Sequence, residues 1–282
     1  MKHGISNKLE QKALIKTSYD KRNVRYEVIH NFNPNYYDSL VPIGVPKQSS
    51  KILDHGCGYG SLTKRISQLY PDLQLKFDLQ DTSAYQILRA KKELKDLKTN
   101  NKFNYYLNAL TDCYFDNNEF DIVFSKLVLQ EMHFDEQIQE VCELRRILKN
   151  EKFMFLWLIW LEQPYKDFFR KVITEKDKIA GLKTLVENRY FADNKEILSI
   201  LRRSGFTSEK TSFIPIPPLV WETKNQLVGD LLNDQKKHIK LNRFIENEIK
   251  KETIECKRSI KYSKNGDNIK FEIPQMVIKL KK

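Results

Sequence analysis

Lys51-Ile-Leu-Asp-His-Gly-Cys-Gly-Tyr-Gly-Ser61 decides how the rest of the chain is read. A basic residue enters an apolar pair, an acid closes it, and Gly56, Gly58 and Gly60 follow at alternate positions. Glycine reaches positive φ readily and lets a ligand approach the main chain where a β-carbon would block it. Leu62, Ile66 and Leu69 then recur at helical spacing. Strand, glycine turn and helix in that order predict a nucleotide-type site with peptide N–H groups gathered at a helix N-terminus.

The spacing narrows the ligand. A dinucleotide fingerprint needs G-x-G-x-x-G, which counted from Gly56 and Gly58 demands glycine at 61, where Ser61 stands. Asp54, two residues before Gly56, would set a carboxylate against a pyrophosphate, like charge on like charge. A carboxylate there suits a cation, such as the α-amino group of a methionyl moiety. Acid-x-Gly-x-Gly-x-Gly resembles the first motif of the class I S-adenosylmethionine-dependent methyltransferases.

Later segments extend the resemblance in order. Leu73-Gln-Leu-Lys-Phe-Asp-Leu-Gln80 alternates like a second strand and is followed by Asp81-Thr-Ser83 and a helical pattern carrying Ile87, Leu88 and Ala90. An acid ending that strand, roughly 20 residues after the glycines, is the expected acceptor for ribose hydroxyls. Asp78 and Asp81 compete for the role, and Asp81-x-Ser83 is in register with the family's second motif. Asn108 to Ser125 is similar to the family's adenine loop and fourth strand, except that Asn108 and Ala109 stand where an acid is usual. Glu143 to Lys149 resembles the helix end before the fifth strand, with Asn150-Glu-Lys152 replacing a Pro-Gly-Gly turn, and Phe153 to Trp160 reads as that strand. Asn194 to Phe206 resembles the helix and Gly-Phe turn before the sixth strand, and Phe271 to Leu280 the last, antiparallel one.

The resemblance implies a Rossmann-like α/β fold: a mostly parallel seven-stranded sheet, helices on both faces, the last strand antiparallel, plus a helical lid. It implies S-adenosylmethionine as donor and S-adenosylhomocysteine as product. Carried onto this sequence, the cofactor residues are Asp54, Gly56, Gly58, Gly60, Asp81, Thr82, Asn108, Ala109, Leu110 and Ser125. Glu131 and His133, just after the fourth strand, are the candidate catalytic pair. Relatives often carry histidine where Glu131 stands, and a carboxylate there suits holding an amine or removing a proton. Lys126, Gln130, Trp160, Tyr165 and Tyr19 are the candidate acceptor contacts.

Composition sets the class. The 282 residues, 40% hydrophobic and 11% aromatic, suffice for one sizeable core, or a core with a small lid. The most apolar run, Phe153 to Leu161, falls well short of the roughly 20 residues a spanning helix needs. No secretory signal layout opens the chain, and a cytoplasmic setting fits. Cysteines 57, 113, 142 and 256 show no C-x-x-C pairing, so no metal site is expected. The net charge of +12 is the best support for a nucleic-acid substrate, but the lysines are spread along the chain rather than clustered.

The chain is read as one methyltransferase domain over 1–282. Residues 1–50 form a helical leader that folds as a lid, with Tyr19 and Tyr26 as lid or packing residues. Residues 51–160 are the cofactor-binding half, 161–192 a helical lid insertion, and 193–282 the C-terminal part of the sheet. Strands are expected near 211–215, 259–263 and 269–279, and a charged helix from 223 to about 252. A small-molecule acceptor, methylated at N or O in secondary metabolism, is the first reading. A nucleic-acid methyltransferase and a catalytically inactive cofactor-binding partner subunit are the alternatives. No Asn/Asp-Pro-Pro-Tyr/Phe tetrapeptide and no Pro-Cys pair supports the nucleic-acid reading.

Overall fold

The structure, a computed structural model, describes residues 46–180, 190–223 and 234–282. The proposed lid residues Tyr19 and Tyr26 lie outside the described residues. Among the described residues eight strands make one sheet in the order β3-β2-β1-β4-β5-β8-β6, with β7 attached to β8 off that path.

The first half alternates strand and helix: β1 (Lys51–His55), α1 (Ser61–Leu69), β2 (Lys76–Gln80), α2 (Ala84–Lys95), β3 (Lys102–Tyr106), β4 (Phe120–Lys126), α3 (Phe134–Ile147) and β5 (Leu148–Ile159). β1 lies between β2 and β4, parallel to both, with Ile52 opposite Phe77 on one side and Ile122 on the other. A strand flanked this way is covered on both faces, which is why Ile52, Leu53 and Asp54 are all buried.

The second half is α4 (Tyr165–Ile179), α5 (Asn194–Arg203), β6 (Thr211–Glu222), α6 (Gln235–Lys251), α7 (Ile254–Ile260), β7 (Ser263–Asn265) and β8 (Asn268–Lys281). β8 runs against β5: the N–H of Glu151 donates to the Lys282 carbonyl, whereas that of Trp160 donates to Pro274. The antiparallel last strand is therefore as expected, with β7 an eighth strand added as a hairpin arm.

Three expectations are refined. The strand placed near 259–263 starts only at Ser263, as β7; Ser259 and Ile260 instead end helix α7, which Thr253 caps by accepting from the Cys256 N–H at 3.1 Å and whose Cys256 and Ile260 are buried. β6 continues to Glu222, straight through Pro215, Pro217 and Pro218. Proline is tolerated because β6 is the last strand of the sheet, where a missing N–H needs no partner. Of the charged helix expected from 223 to about 252, Gln235–Lys251 is helical and capped by the Asp234 side chain, while 224–233 lie outside the described residues.

The chain divides into two compact units. One comprises the described residues 46–158, Ile197–Ile216 and Met276–Lys282. Its core sets Leu62 and Ile66 of α1 and Ile87, Ala90 and Leu94 of α2 against Ile52, Phe77, Phe124 and Phe155 of the sheet. The other, built from the described parts of 159–196 and 217–275, has its own core. There Phe168, Phe169 and Val172 of α4 meet Leu241 and Ile245 of α6 and Phe271 of β8, with Trp221 stacked on Phe271 at 4.5 Å.

Candidate active site

The site is built at the carboxyl ends of β1, β2 and β4, where open α/β sheets bind ligands. After His55 the chain turns through Gly56 (φ +62°), Gly58 and Gly60 (φ +77°) into α1. These angles are left-handed, so the glycine spacing read from the sequence is a backbone requirement. The space is also closed: a β-carbon on Gly56 would stand 2.3 Å from Val128 Cγ2, and one on Gly60 3.3 Å from the Ala90 β-carbon.

Asp54 lies just below the turn, 3% exposed, and its Oδ2 accepts from the Thr63 hydroxyl at 2.6 Å. Burial pushes its carboxyl up to about 6, although the Thr63 bond and the Lys126 charge both oppose the rise. Lys126, at the end of β4, is partly buried with its ammonium 5.0 Å from the centre of the Trp157 ring. Burial brings it down to about 7, against the attraction of Asp54. Lys126 and Trp157 line a small apolar hollow with Leu62, Phe124, Phe155 and Val277.

The two candidate ribose acids face different surroundings. Asp81 follows β2 and brings its carboxylate into the glycine turn, accepting from the Gly58 N–H at 2.9 Å and the Ser83 N–H at 2.8 Å. Burial raises its pKa, and those two main-chain bonds restrain the rise. Asp78 is wholly buried, accepts from Asn104 at 2.7 Å and pairs with Lys51 at 3.2 Å. Its carboxylate is committed to holding strands together.

Gln80, which sequence reasoning passed over, binds the turn to the candidate adenine segment. Its side-chain oxygen accepts from the Gly56 N–H at 3.3 Å, its carbonyl accepts from Cys57 at 2.9 Å, and its amide donates to the Asn108 carbonyl. Asn108 is exposed, Ala109 partly so, and Leu110 is buried at the start of a short helical turn, Leu110–Asp112. Thr82 is partly exposed between Asp81 and the α2 cap Ser83.

The segment after β4 begins with Leu127 at φ +55°, a left-handed angle that is costly for leucine. Leu129–Glu131 form a short helical turn, and His133 caps α3, its N–H donating to Glu136 at 3.2 Å. Glu131 is partly exposed and His133 exposed. Gln130 folds back, its amide donating to the Leu127 carbonyl at 2.6 Å. The Ser125 side chain points to the opposite face of β4 from Lys126 and bonds His55 at 2.9 Å.

Trp160 and Tyr165 belong to the second unit. Tyr165 is 3% exposed in that unit's core, and its hydroxyl donates to the Glu272 carbonyl. Phe168, Phe169 and Trp221 are core rings too. Among the described residues no cluster of His, Cys, Asp and Glu is arranged to hold a metal ion, and no helix is long and apolar enough to cross a membrane.

Comparison with known proteins agrees with this geometry. Residues 52–151 match the family model described as a methyltransferase domain. A putative methyltransferase from Bacillus halodurans superposes with a TM-score of 0.67 at 16% identity, covering 87% of this chain and 97% of that one. The YcgJ protein of Bacillus subtilis gives 0.66 at 13% identity, covering 88% and 98%. Phosphoethanolamine N-methyltransferase 2 of Haemonchus contortus, solved with S-adenosylmethionine, gives 0.53 at 15% identity, covering 91% and 56%. No curated protein matches the sequence. Residues 52–151 thus match a methyltransferase domain, and the sheet that carries them has the fold of these solved structures.

Proposed function

We propose that the chain transfers a methyl group from S-adenosylmethionine to a small-molecule acceptor, at nitrogen or oxygen, in the cytoplasm. The observation that carries the reading is the glycine turn bracketed by two carboxylates. Asp54 would answer the methionyl ammonium and Asp81 the ribose hydroxyls, while the left-handed glycines hold the turn between them. Main-chain groups at Ala109 and Leu110 would meet the adenine where Asn108 replaces an acid. The donor supplies its own leaving group, so the protein's work is alignment and exclusion of water.

Acceptor class follows from the segment after β4. Val128 packs on Gly56, so Gln130, Glu131 and His133 follow two to five residues after the contact with the donor turn. A carboxylate at Glu131 suits an amine, by holding its cation or taking its proton. Two structural neighbours carry names of amine methyltransferases, the Haemonchus enzyme and a putative sarcosine dimethylglycine methyltransferase from Galdieria sulphuraria.

The positive charge supports a nucleic-acid substrate less once it is placed. Lys237 pairs with Asp234, Lys251 with Glu248 and Lys281 with Glu151, while Lys91 lies over the Tyr105 ring. Calorimetry with S-adenosylhomocysteine tests the donor site. Release of that product from S-adenosylmethionine, screened across small amines and alcohols beside an RNA control, tests the acceptor. Turnover with RNA alone would overturn the acceptor reading.

A further inference from the structure

His55 sits inside the glycine motif yet has no place in the donor site as built above. It is 2% exposed, and both ring nitrogens are engaged. Nδ1 meets the Ser125 hydroxyl at 2.9 Å and Nε2 the Glu140 carboxylate at 2.8 Å. A carboxylate only accepts, so Nε2 carries a proton toward Glu140, and Nδ1 can then accept from Ser125. A hydrolase-type triad would leave the serine hydroxyl open to substrate, whereas Ser125 is itself 2% exposed. The chain of bonds is a brace.

What it braces is specific. His55 and Ser125 are register partners on the parallel strands β1 and β4, and each is the last or next-to-last residue before its loop. Glu140 lies two turns into α3, the helix that receives the chain after His133. One imidazole thus holds both ends of the segment 126–133 to the residue that precedes Gly56. Val128, in the middle of the segment, rests on Gly56 itself, and Leu127 is kept at its left-handed angle.

We propose that His55 is a positioning residue that locks the segment 126–133 in register with the glycine turn, so that binding at the turn is transmitted to the acceptor side. This rests on the donor reading above for its second half only. Hydrogen exchange of the whole chain, wild type against His55→Leu, tests it with and without S-adenosylhomocysteine. Without ligand, amides 126–133 should exchange roughly tenfold faster in the variant, the loss expected for one net hydrogen bond, while those of α2 stay unchanged. With ligand, protection should spread to 126–133 in the wild type and stop at the turn in the variant. His55→Gln, which keeps a donor and an acceptor, should restore most of the difference.

Equal exchange across 126–133 in both proteins would overturn the proposal, as would faster exchange spread evenly over α2. If His55→Leu does not fold, Ser125→Ala, which keeps the bond to Glu140, replaces it in the same comparison. A wild type that ignores S-adenosylhomocysteine would refute the donor reading, and the ligand-free comparison would still decide the brace.

Discussion

Val128 is seated on the α-carbon of Gly56, so close that a β-carbon there would lie 2.3 Å from its Cγ2. The donor turn and the segment after β4 are therefore one packed object. Gly56→Ala should lose donor binding and cost about 2–4 kcal/mol of stability, combining overpacking with a left-handed alanine. Adding Val128→Ala should return the overpacking share and leave the backbone share. Thermal melts of the two single variants and the double measure that coupling. A Gly56→Ala protein that melts and binds like wild type would contradict the packing.

Asp81 and Asp78 should separate cleanly. Asp81→Ala removes the acceptor shared by the Gly58 and Ser83 N–H groups and should abolish S-adenosylhomocysteine binding in calorimetry, with a modest fall in melting temperature. Asp78→Ala strips the partner from Lys51 and Asn104 and should cost on the order of 3 kcal/mol in denaturant titration. Where that variant still folds, its donor affinity should be close to wild type. The reverse pattern would exchange the two roles.

Donor binding should depend on pH through Asp54. Its folded-state pKa is raised to about 6, so its contribution to stability is complete below its ordinary 3.8 and is lost as pH climbs through about 6. Lys126 is depressed to about 7, so its contribution is complete above 10.5 and is lost as pH falls through about 7. A cationic donor selects the ionised Asp54. Affinity should fall by about tenfold per unit below pH 6, with one proton released on binding there. Calorimetry in two buffers of different ionisation enthalpy reads that proton, and Asp54→Asn should erase it. A flat profile from pH 5 to 8 would exclude Asp54 as the cation's partner.

Tyr165 offers a control on the acceptor side. Its hydroxyl is spent on the Glu272 carbonyl within the second unit's core. Tyr165→Phe should therefore cost about 1 kcal/mol in a melt, one hydrogen bond's net worth, and leave acceptor KM unaltered. A large rise in KM would return the ring to substrate binding.

The parts of the fold written in local pattern were legible: the glycine spacing, the apolar strands β1, β4 and β5, and the antiparallel close of β8. Strand β6 was cut short in the reading because three prolines look like an end, and only its place at the sheet edge makes them harmless. The strand expected near 259–263 overlaps the end of helix α7 because seven residues are too few for a periodicity, and the helix's signal is the Thr253 cap. Within the site, Asp54, Asp81 and the glycines carry type and spacing together. Gln80 and His55 do not: each is a polar residue in a strand, and its meaning lies in partners 28, 70 and 85 positions away. A buried polar residue closing an otherwise apolar strand is the available signal, since burial without a partner is costly.

Glu131 is the residue on which the acceptor chemistry turns. It ends the short helical turn Leu129–Glu131, is partly exposed, and follows the stretch that Val128 anchors to Gly56. Glu131→Gln keeps the shape and removes the charge. With an acceptor from the screen in hand, turnover should fall by roughly 10²–10⁴-fold if the carboxylate takes the proton. If it only holds a cationic amine, acceptor KM should rise while kcat changes little. Donor affinity should stay at the wild-type value in both cases, because Asp54 and Asp81 are untouched. His133→Ala should leave turnover near wild type if the histidine serves α3 as its cap, and should match the Glu131 loss if it shares the proton. Unaltered kinetics in both variants would move the acceptor chemistry off this segment altogether.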